Sequence, residues 1–370
     1  MNLREKIDQS PMGIYQWAIV LMAAVMNFLD GFDVLAIAFT ATNISKDFGL
    51  SKTEFGMLVS AGLIGMVVGS MVLAPLADKF GRRPILLLSV AFSAIGLTVS
   101  GFSVNAEMLA FSRVMTGLGV GGILVGTNVI TSEYSSKKWR SFAISVYAAG
   151  FGIGAMIGGM MAKSLQATYS WHAVYFAGAL MTALVFIILW LWLPESIDYL
   201  NAKQPQNARV RLNRIAQKLG FGGEWELVAK RAENQNKLPI SGLFGSKYLR
   251  STLLLWLSFF AIMFCFYFIS SWTPALLKEA GMTVEESINV GMMISLGGAA
   301  GSLLYGLIAS RWAARNVLIL FTVKSALAIV LFILLSHNLA VAMVLGVVVG
   351  ALINGCISGL YTINPATYDA

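Results

Sequence analysis

Charged residues are scarce in this chain. Asp, Glu, Lys and Arg together make up 12% of its 370 residues, whereas a soluble domain carries about a quarter. Hydrophobic residues make up 57% of the chain. This balance excludes a soluble globular domain and indicates a protein that resides in a lipid bilayer.

Residues that support catalysis or metal binding are also few. The chain has two histidines and two cysteines. Cys265 and Cys356 lie in separate apolar segments, where packing is a better interpretation than a disulfide or a metal ligand. We find no G-x-x-x-x-G-K nucleotide loop and no nucleophile elbow. The sequence therefore predicts neither an enzyme nor a metal site, and it predicts no cofactor other than protons as a coupling ion.

Ten hydrophobic runs are long enough to cross about 30 Å of hydrocarbon. They cover residues 15–39, 55–76, 85–104, 108–131, 142–162, 173–193, 253–277, 290–309, 317–335 and 340–363. Residues 1–11 are polar and mixed in charge, unlike a cleavable signal peptide. The first run is therefore expected to be part of the mature protein.

Lys and Arg are distributed unequally between the two sides that these runs define. With the N-terminus inside, twenty of the 26 fall in inner loops and four in outer loops. Short basic loops remain in the cytoplasm, so we expect a cytoplasmic N-terminus. The net charge of +8 then reflects topology, and no nucleic-acid partner is needed to explain it.

A charged turn separates the second and third runs, in residues 74–84. Its charged residues and turn glycine are Asp78, Lys79, Gly81, Arg82 and Arg83. The spacing recurs 232 residues later, in residues 306–315, which suggests two related halves. The segment resembles the loop between helices 2 and 3 of the major facilitator superfamily of transporters. Ala74 stands where that family has its first Gly, and Ser310 and Ala313 replace the Asp and turn Gly in the second copy.

The resemblance implies an all-α membrane fold of twelve helices in two six-helix halves. We expect an N-terminal six-helix bundle in residues 1–193, a cytoplasmic linker in 194–250 and a C-terminal bundle in 251–370. Only ten of the twelve helices are present, so the second bundle is incomplete, and the chain is either a fragment or a truncated product. Within the linker, Leu212, Ile215 and Leu219 share one helical face. This face suits either an amphipathic helix on the anionic inner leaflet or a solvated cytoplasmic helix.

Two carboxylates, Asp30 and Asp33, interrupt the first hydrophobic run. Each costs about 3 kcal/mol near the centre of a bilayer, and their i, i+3 spacing places them on one helical face. We expect them to share a water-filled cavity and one of them to take up a proton near neutral pH. In the alternative, one Asp caps a helix interrupted at Gly31 and the other pairs with a distant Arg.

Arg113 is the natural partner of this pair, because it lies at a compatible depth in the fourth run. Glycines follow it at positions 117, 119, 121, 122 and 126, and they let a neighbouring backbone approach closely. The pattern resembles the R-x-x-x-G-x-G-x-G motif on helix 4 of the superfamily, which is associated with proton-coupled transport.

Together, the two Asp, the helix 4 Arg and the acidic Glu133 resemble the aromatic acid:proton symporter family. The resemblance implies proton-coupled import of a small organic anion, an aromatic carboxylate or a ring-cleavage product such as muconate, across a bacterial inner membrane. It implies proton and substrate roles for Asp30, Asp33 and Arg113. It also implies a cytoplasmic latch that forms and separates as the halves move, made of Asp78, Gly81, Arg82, Arg83 and Glu133. For Glu133 a solvated loop is the alternative.

Aromatic and basic residues in the second half are weaker candidates for a substrate cavity: Phe264, Tyr267, Trp272 and Lys324. Contact with lipid or core packing is the alternative for each aromatic residue, and Lys324 either faces the cavity or extends towards the interface. Other functions also stay open: a sugar or drug porter of the same superfamily, or a truncated membrane protein without transport activity. We expect the protein to act as a monomer in the bilayer.

Overall fold

A computed structural model of the chain describes residues 2–227 and 248–368, with the side chains up to residue 363. Thirteen helices form in the described residues, and ten of them are long. The long helices are α2 (Ile14–Asp47), α3 (Lys52–Phe80), α4 (Arg82–Gly101), α5 (Ala106–Tyr134), α6 (Arg140–Thr168), α7 (His172–Trp192), α10 (Leu249–Glu279), α11 (Val284–Ala309), α12 (Ala314–Leu335) and α13 (Leu339–Tyr368). The short helices are α1 (Leu3–Gln9), α8 (Ile197–Lys203) and α9 (Ala208–Lys218).

The ten long helices are sufficiently long and apolar to cross a membrane. They coincide with the ten hydrophobic runs, so the prediction of an all-α protein with ten spans is confirmed. The first long helix, α2, extends beyond the expected residue 39 to Asp47. There the Trp171 indole donates a hydrogen bond of 3.0 Å to the carboxylate of Asp47. The hydrogen bond from Trp171 gives the polar end of α2, beyond the apolar run, a partner in the protein.

Small residues set the packing of the first half. Gly31 of α2 lies against the backbone of Phe151 in α6, and Gly154 of α6 lies against the backbone of Phe28 in α2. Helices α3 and α5 make the same kind of contact between Gly65 and the backbone of Val114. These glycines therefore bring the helices into backbone contact.

The two sets of helices meet along α6 and α11. Gly152 lies against the backbone of Ser295 and Ala299, and Gly306 lies against the side chain of Ser145. At the end away from Asp78, two ion pairs also join the sets: Lys52 Nζ lies 2.7 Å from Glu279 Oε1, and Lys163 Nζ lies 2.5 Å from Glu285 Oε1.

Helices α1 and α9 pack on the end of the first half that carries the N-terminus. Leu3 and Ile7 of α1 share a buried apolar cluster with Leu212 and Ile215 of α9 and with Ile19 of α2. Of the two alternatives for this helix, insertion of its apolar face into the inner leaflet does not fit the structure, because that face is buried against protein. Part of the expected linker, residues 228–247, lies outside the described residues.

Candidate functional site

Arg113 and Asp33 form a buried ion pair between α5 and α2. Arg113 Nη1 lies 2.5 Å from Asp33 Oδ1, and Nη2 donates a second hydrogen bond, of 3.1 Å, to the Asp33 main-chain oxygen. Both side chains are about 4% exposed. The pair expected between the first and fourth runs is confirmed, and it neutralises two charges that would otherwise be costly to bury.

Asp30 is buried without such a partner. Its side chain is 2% exposed, and no described residue donates a hydrogen bond to its Oδ1. Helix α2 continues through Gly31 without interruption, so the alternative in which one Asp caps a broken helix there is wrong. The structure therefore separates the two acids: Asp33 is paired, whereas Asp30 is free to interact with a ligand or a proton.

A cavity of about 240 Å³ lies between the two sets of helices, and Asp30 is part of its wall. Polar residues from both sides line it: Asn27, Asp30 and Tyr147 from the first half, and Tyr267, Ser302, Asn354 and Tyr361 from the second. Phe151 and Phe266 add an apolar wall, with ring centroids 5.2 Å apart in a T-shaped arrangement. The cavity therefore combines aromatic faces with hydroxyl, amide and carboxyl groups.

Met66 and Tyr267 separate this cavity from a second one. The Tyr267 hydroxyl lies 3.3 Å from the Met66 sulfur, and both residues line both cavities. The second cavity is only about 20 Å³ and contains Asp33 and Arg113 in its wall, so it has room for about one water molecule. The expectation that Asp30 and Asp33 share one cavity is wrong in this conformation.

Among the second-half candidates, Tyr267 lines the large cavity but the other three do not. Phe264 is 62% exposed and stacks between Phe260 and Phe268 on another face of α10. The Trp272 ring lies 3.7 Å from the position that a Cβ on Gly56 would occupy, and Lys324 is exposed on α12. The expectation that Phe264, Trp272 and Lys324 face the cavity is therefore corrected.

The charged turn after α3 is held by an acidic residue that the sequence analysis did not select. Glu195 Oε1 accepts hydrogen bonds from the backbone N–H groups of Arg82 and Arg83 at 2.8 and 3.0 Å, at the N-terminus of α4. A carboxylate is favourable there because of the orphan N–H groups and the helix dipole. Asp78 pairs with Arg82 at 2.6 Å.

Gly81 makes this turn possible. Its φ is +109°, a conformation that favours glycine, and a Cβ would lie 2.6 Å from Glu195 Oε2. The turn expected at Gly81 is confirmed. In this conformation the hydrogen bonds described for Asp78, Arg82 and Arg83 connect residues of the first half with one another and with Glu195 at the start of the linker.

Glu133 is buried, with 3% of its surface exposed, so the alternative of a solvated loop is wrong. Its carboxylate accepts hydrogen bonds from the Ser196 hydroxyl and the Ile197 N–H, both at 2.9 Å. It therefore holds the start of α8 rather than pairing with the basic residues that follow it. Arg4 of α1 donates to the main-chain oxygen of Glu133, so α1, the start of α8 and the end of α5 meet at this residue.

Sequence reasoning missed most of the polar cavity wall. Asn27 lies three residues before Asp30 on the same face of α2, and this spacing was a usable signal. Tyr147, Asn354 and Tyr361 have no such signal, because they come from helices that meet only in the folded protein. No group of three or more His, Cys, Asp or Glu able to hold a metal occurs among the described residues.

Comparison with known proteins identifies the fold and the relatives of this chain. A sequence profile of the Major Facilitator Superfamily matches residues 22–368, which confirms the resemblance predicted from the loop and helix motifs. A gallate transporter from Pseudomonas putida is 30% identical over 371 residues, covering 100% of this chain and 82% of the relative. The 4-hydroxybenzoate transporter PcaK from Pseudomonas aeruginosa is 31% identical, covering 87% and 72%. These relatives are transporters, so the prediction that the chain is not an enzyme is confirmed.

Solved structures give the same fold. The xylose transporter XylE from E. coli, in a partially occluded inward open conformation, superimposes with a TM-score of 0.73 at 16% sequence identity. The match covers 95% of this chain and 85% of the other. The architecture of helical halves around a central cavity is therefore that of a known transporter fold.

Proposed function

The chain belongs to the Major Facilitator Superfamily of transporters, and we propose that it imports a small aromatic carboxylate together with a proton. The observation that carries this proposal is the cavity between the halves, in which an unpaired buried carboxylate, Asp30, lies among aromatic and hydroxyl groups. A cavity in this position contacts both halves, as a substrate site in an alternating-access transporter does.

The size and lining of the cavity suit an aromatic acid. A cavity of about 150 Å³ holds a benzene ring, so about 240 Å³ accommodates a ring with a carboxylate and one or more small substituents. The rings of Phe151 and Phe266 offer edge and face contacts to such a ring. The relatives named for gallate and 4-hydroxybenzoate transport support the same class of substrate.

Coupling to protons follows from the charge of Asp30. Two like charges about 6 Å apart repel by about 3 kcal/mol at an effective dielectric constant of 20, so an ionised Asp30 opposes an organic anion in the same cavity. Protonation of Asp30 removes that repulsion. We infer that the anion and the proton occupy the cavity together and leave together, which is symport.

Asp33 and Arg113 have a different role in this proposal. Their ion pair lies in the wall of the second cavity, beyond the partition that Met66 and Tyr267 form. When the halves move and the partition opens, the guanidinium of Arg113 becomes available to the carboxylate of the substrate. The two acids therefore have different roles in this proposal: Asp30 carries the proton, and Asp33 holds Arg113.

The moving parts lie at the two ends of the molecule. Lys52–Glu279 and Lys163–Glu285 join the halves at one end, and the turn at Asp78, Gly81, Arg82 and Arg83 lies at the other. We infer that the ion pairs break, and that contacts of this turn with the second half form, when the cavity opens to the opposite side. The excess of Lys and Arg in the loops on the Asp78 side supports a cytoplasmic location for that side, and so a bacterial inner-membrane protein with its N-terminus inside.

Uptake by reconstituted vesicles tests the proposal. Radiolabelled 4-hydroxybenzoate, gallate, benzoate, muconate and xylose are offered with and without an inward proton gradient. We expect accumulation of one or more aromatic acids that depends on the gradient. Accumulation of xylose instead indicates a sugar porter. If folded and inserted protein takes up none of these compounds, the result contradicts transport of aromatic acids, of muconate and of xylose.

A further inference from the structure

Asn27 lies in the cavity wall, and its hydrogen bonds determine which of its side-chain atoms is available to a ligand. Its Nδ2 donates to the main-chain oxygen of Tyr147 at 2.9 Å and approaches that of Ala148 at 3.4 Å. Both partners are carbonyl oxygens, so the amide nitrogen must lie on that side. The Oδ1 atom is left as the acceptor that Asn27 offers.

No described residue donates a hydrogen bond to Asn27 Oδ1, although the side chain is 3% exposed. A buried acceptor without a donor costs about 1–3 kcal/mol, so a water, an ion or a ligand that donates to it is favoured. Asp30 follows three residues later on the same face of α2 and also has an unpartnered Oδ1. Both residues line the same cavity, so its wall contains two oxygen atoms to which no described residue donates a hydrogen bond.

This arrangement indicates which chemical group a ligand needs in order to donate to Asn27 Oδ1. An aromatic carboxylate without other substituents has acceptor atoms only, so it supplies no donor to Asn27 Oδ1. A hydroxyl group on the ring supplies an O–H donor. Asn27 differs from Asp30 because its amide oxygen accepts in every protonation state of the site.

The opposite wall suits the other end of such a molecule. Ser302, Asn354 and Tyr361, from the second half, carry O–H and N–H groups that donate to a carboxylate. A molecule with a hydroxyl at one end of the ring and a carboxylate at the other therefore spans the cavity from one half to the other.

We propose that Asn27 is a specificity-determining residue whose Oδ1 accepts a hydrogen bond from a ring hydroxyl, so that the protein selects hydroxylated aromatic acids over unsubstituted ones. This inference rests on the proposed function, since it assumes that an aromatic acid occupies the cavity. It assigns the recognition of the hydroxyl group to Asn27 and leaves the transfer of the proton to Asp30.

Equilibrium binding to the purified full chain in nanodiscs tests the inference. The ligands are 4-hydroxybenzoate, benzoate and 4-fluorobenzoate, which has a substituent at the same position but no O–H donor. We expect 4-hydroxybenzoate to bind about tenfold more tightly than the other two, as one good hydrogen bond allows. In Asn27→Ala this ratio should fall to about two or less.

Comparison of ratios within one variant separates recognition from folding. Asn27→Ala also removes the bond to Tyr147 and so weakens α2–α6 packing, but that loss lowers binding of all three ligands equally. Asn43→Ala, on the same helix and paired with Gln166 at 2.8 Å, is the matched control and should keep the wild-type ratio.

The outcomes distinguish this inference from the proposed function. Equal binding of the three acids by the wild type, or an unchanged ratio in Asn27→Ala, overturns the role of Asn27 while an aromatic-acid transporter stands. Absence of binding of all three acids contradicts both proposals. A tenfold preference that Asn27→Ala alone abolishes supports the inference, whether or not uptake is later found to require protons.

Discussion

Arg113 holds Asp33 through two hydrogen bonds, one to the carboxylate at 2.5 Å and one to the main-chain oxygen at 3.1 Å. The second bond fixes the guanidinium to the backbone of α2 as well as to its side chain. Since the two residues are 80 positions apart in the sequence, the pair joins the first and fourth spans at the depth of the cavity.

Removal of one partner of this pair should destabilise the protein strongly. Asp33→Asn or Arg113→Gln leaves one charge buried and uncompensated, at a cost of about 3–5 kcal/mol. The double variant Asp33→Asn/Arg113→Gln removes both charges and should recover part of the loss. Thermal unfolding in detergent measures all three against the wild type. Equal stability of a single variant and the wild type contradicts the assignment of a buried ion pair.

Gly154 should not accept even a methyl group. A Cβ there would lie 2.9 Å from the Phe28 Cα and closer still to its carbonyl group, so helices α2 and α6 must separate. We expect Gly154→Ala to lower stability by about 1–3 kcal/mol, as overpacking does. Gly222→Ala is the control, because nothing lies within 4 Å of the added atom. A similar unfolding temperature for both variants shows that the helices adjust freely.

Glu195 should affect the rate of transport more than the affinity for substrate. It accepts from the N–H groups of Arg82 and Arg83, and Asp78 lies in the same turn, far from the cavity. We expect Glu195→Gln and Asp78→Asn to slow uptake several-fold with little change in the binding of 4-hydroxybenzoate. Glu224→Gln, which breaks only an exposed pair with Arg209, should resemble the wild type. A selective loss of affinity in Asp78→Asn contradicts the latch.

Covalent closure of the end that carries Lys163 and Glu285 should stop transport. These side chains are paired at 2.5 Å across the two halves. In a variant in which Cys265 and Cys356 are changed to Ser, Lys163 and Glu285 are both changed to cysteine. A short bifunctional thiol reagent then joins the two new cysteines. We expect the cross-linked protein to bind 4-hydroxybenzoate but not to accumulate it. The single-cysteine variants, treated identically, are the controls. Full uptake after complete cross-linking shows that this end does not need to open.

Much of the architecture was predictable from the sequence because the bilayer imposes length and polarity on each span. The ten helices, the turn at Gly81 and the pair of Asp33 with Arg113 all follow from runs of apolar residues and the few charges within them. Buried charges in an apolar chain have few possible partners, so the pairing of Asp33 with Arg113 could be predicted from the sequence.

The rest depends on which helices meet. Asp30 and Asp33 share a helical face, but Met66 and Tyr267 from two other helices divide the space beside them. Phe264 and Tyr267 could not be distinguished, because α10 is apolar around its whole circumference and shows no preferred face. The apolar face of α9 suits either a membrane or a protein surface, and only the cluster with Leu3 and Ile7 shows which one it covers.

The central claim, that Asp30 carries a proton with each anion, is tested most directly by measuring protons and substrate together. Vesicles that contain the protein and an internal pH dye are given 4-hydroxybenzoate on the outside without an imposed gradient. We predict internal acidification that accompanies uptake in the wild type and in the control Glu107→Gln, an exposed acid at the start of α5. In Asp30→Asn the acidification should be absent. Uptake without acidification in the wild type, or acidification that persists in Asp30→Asn, contradicts the account.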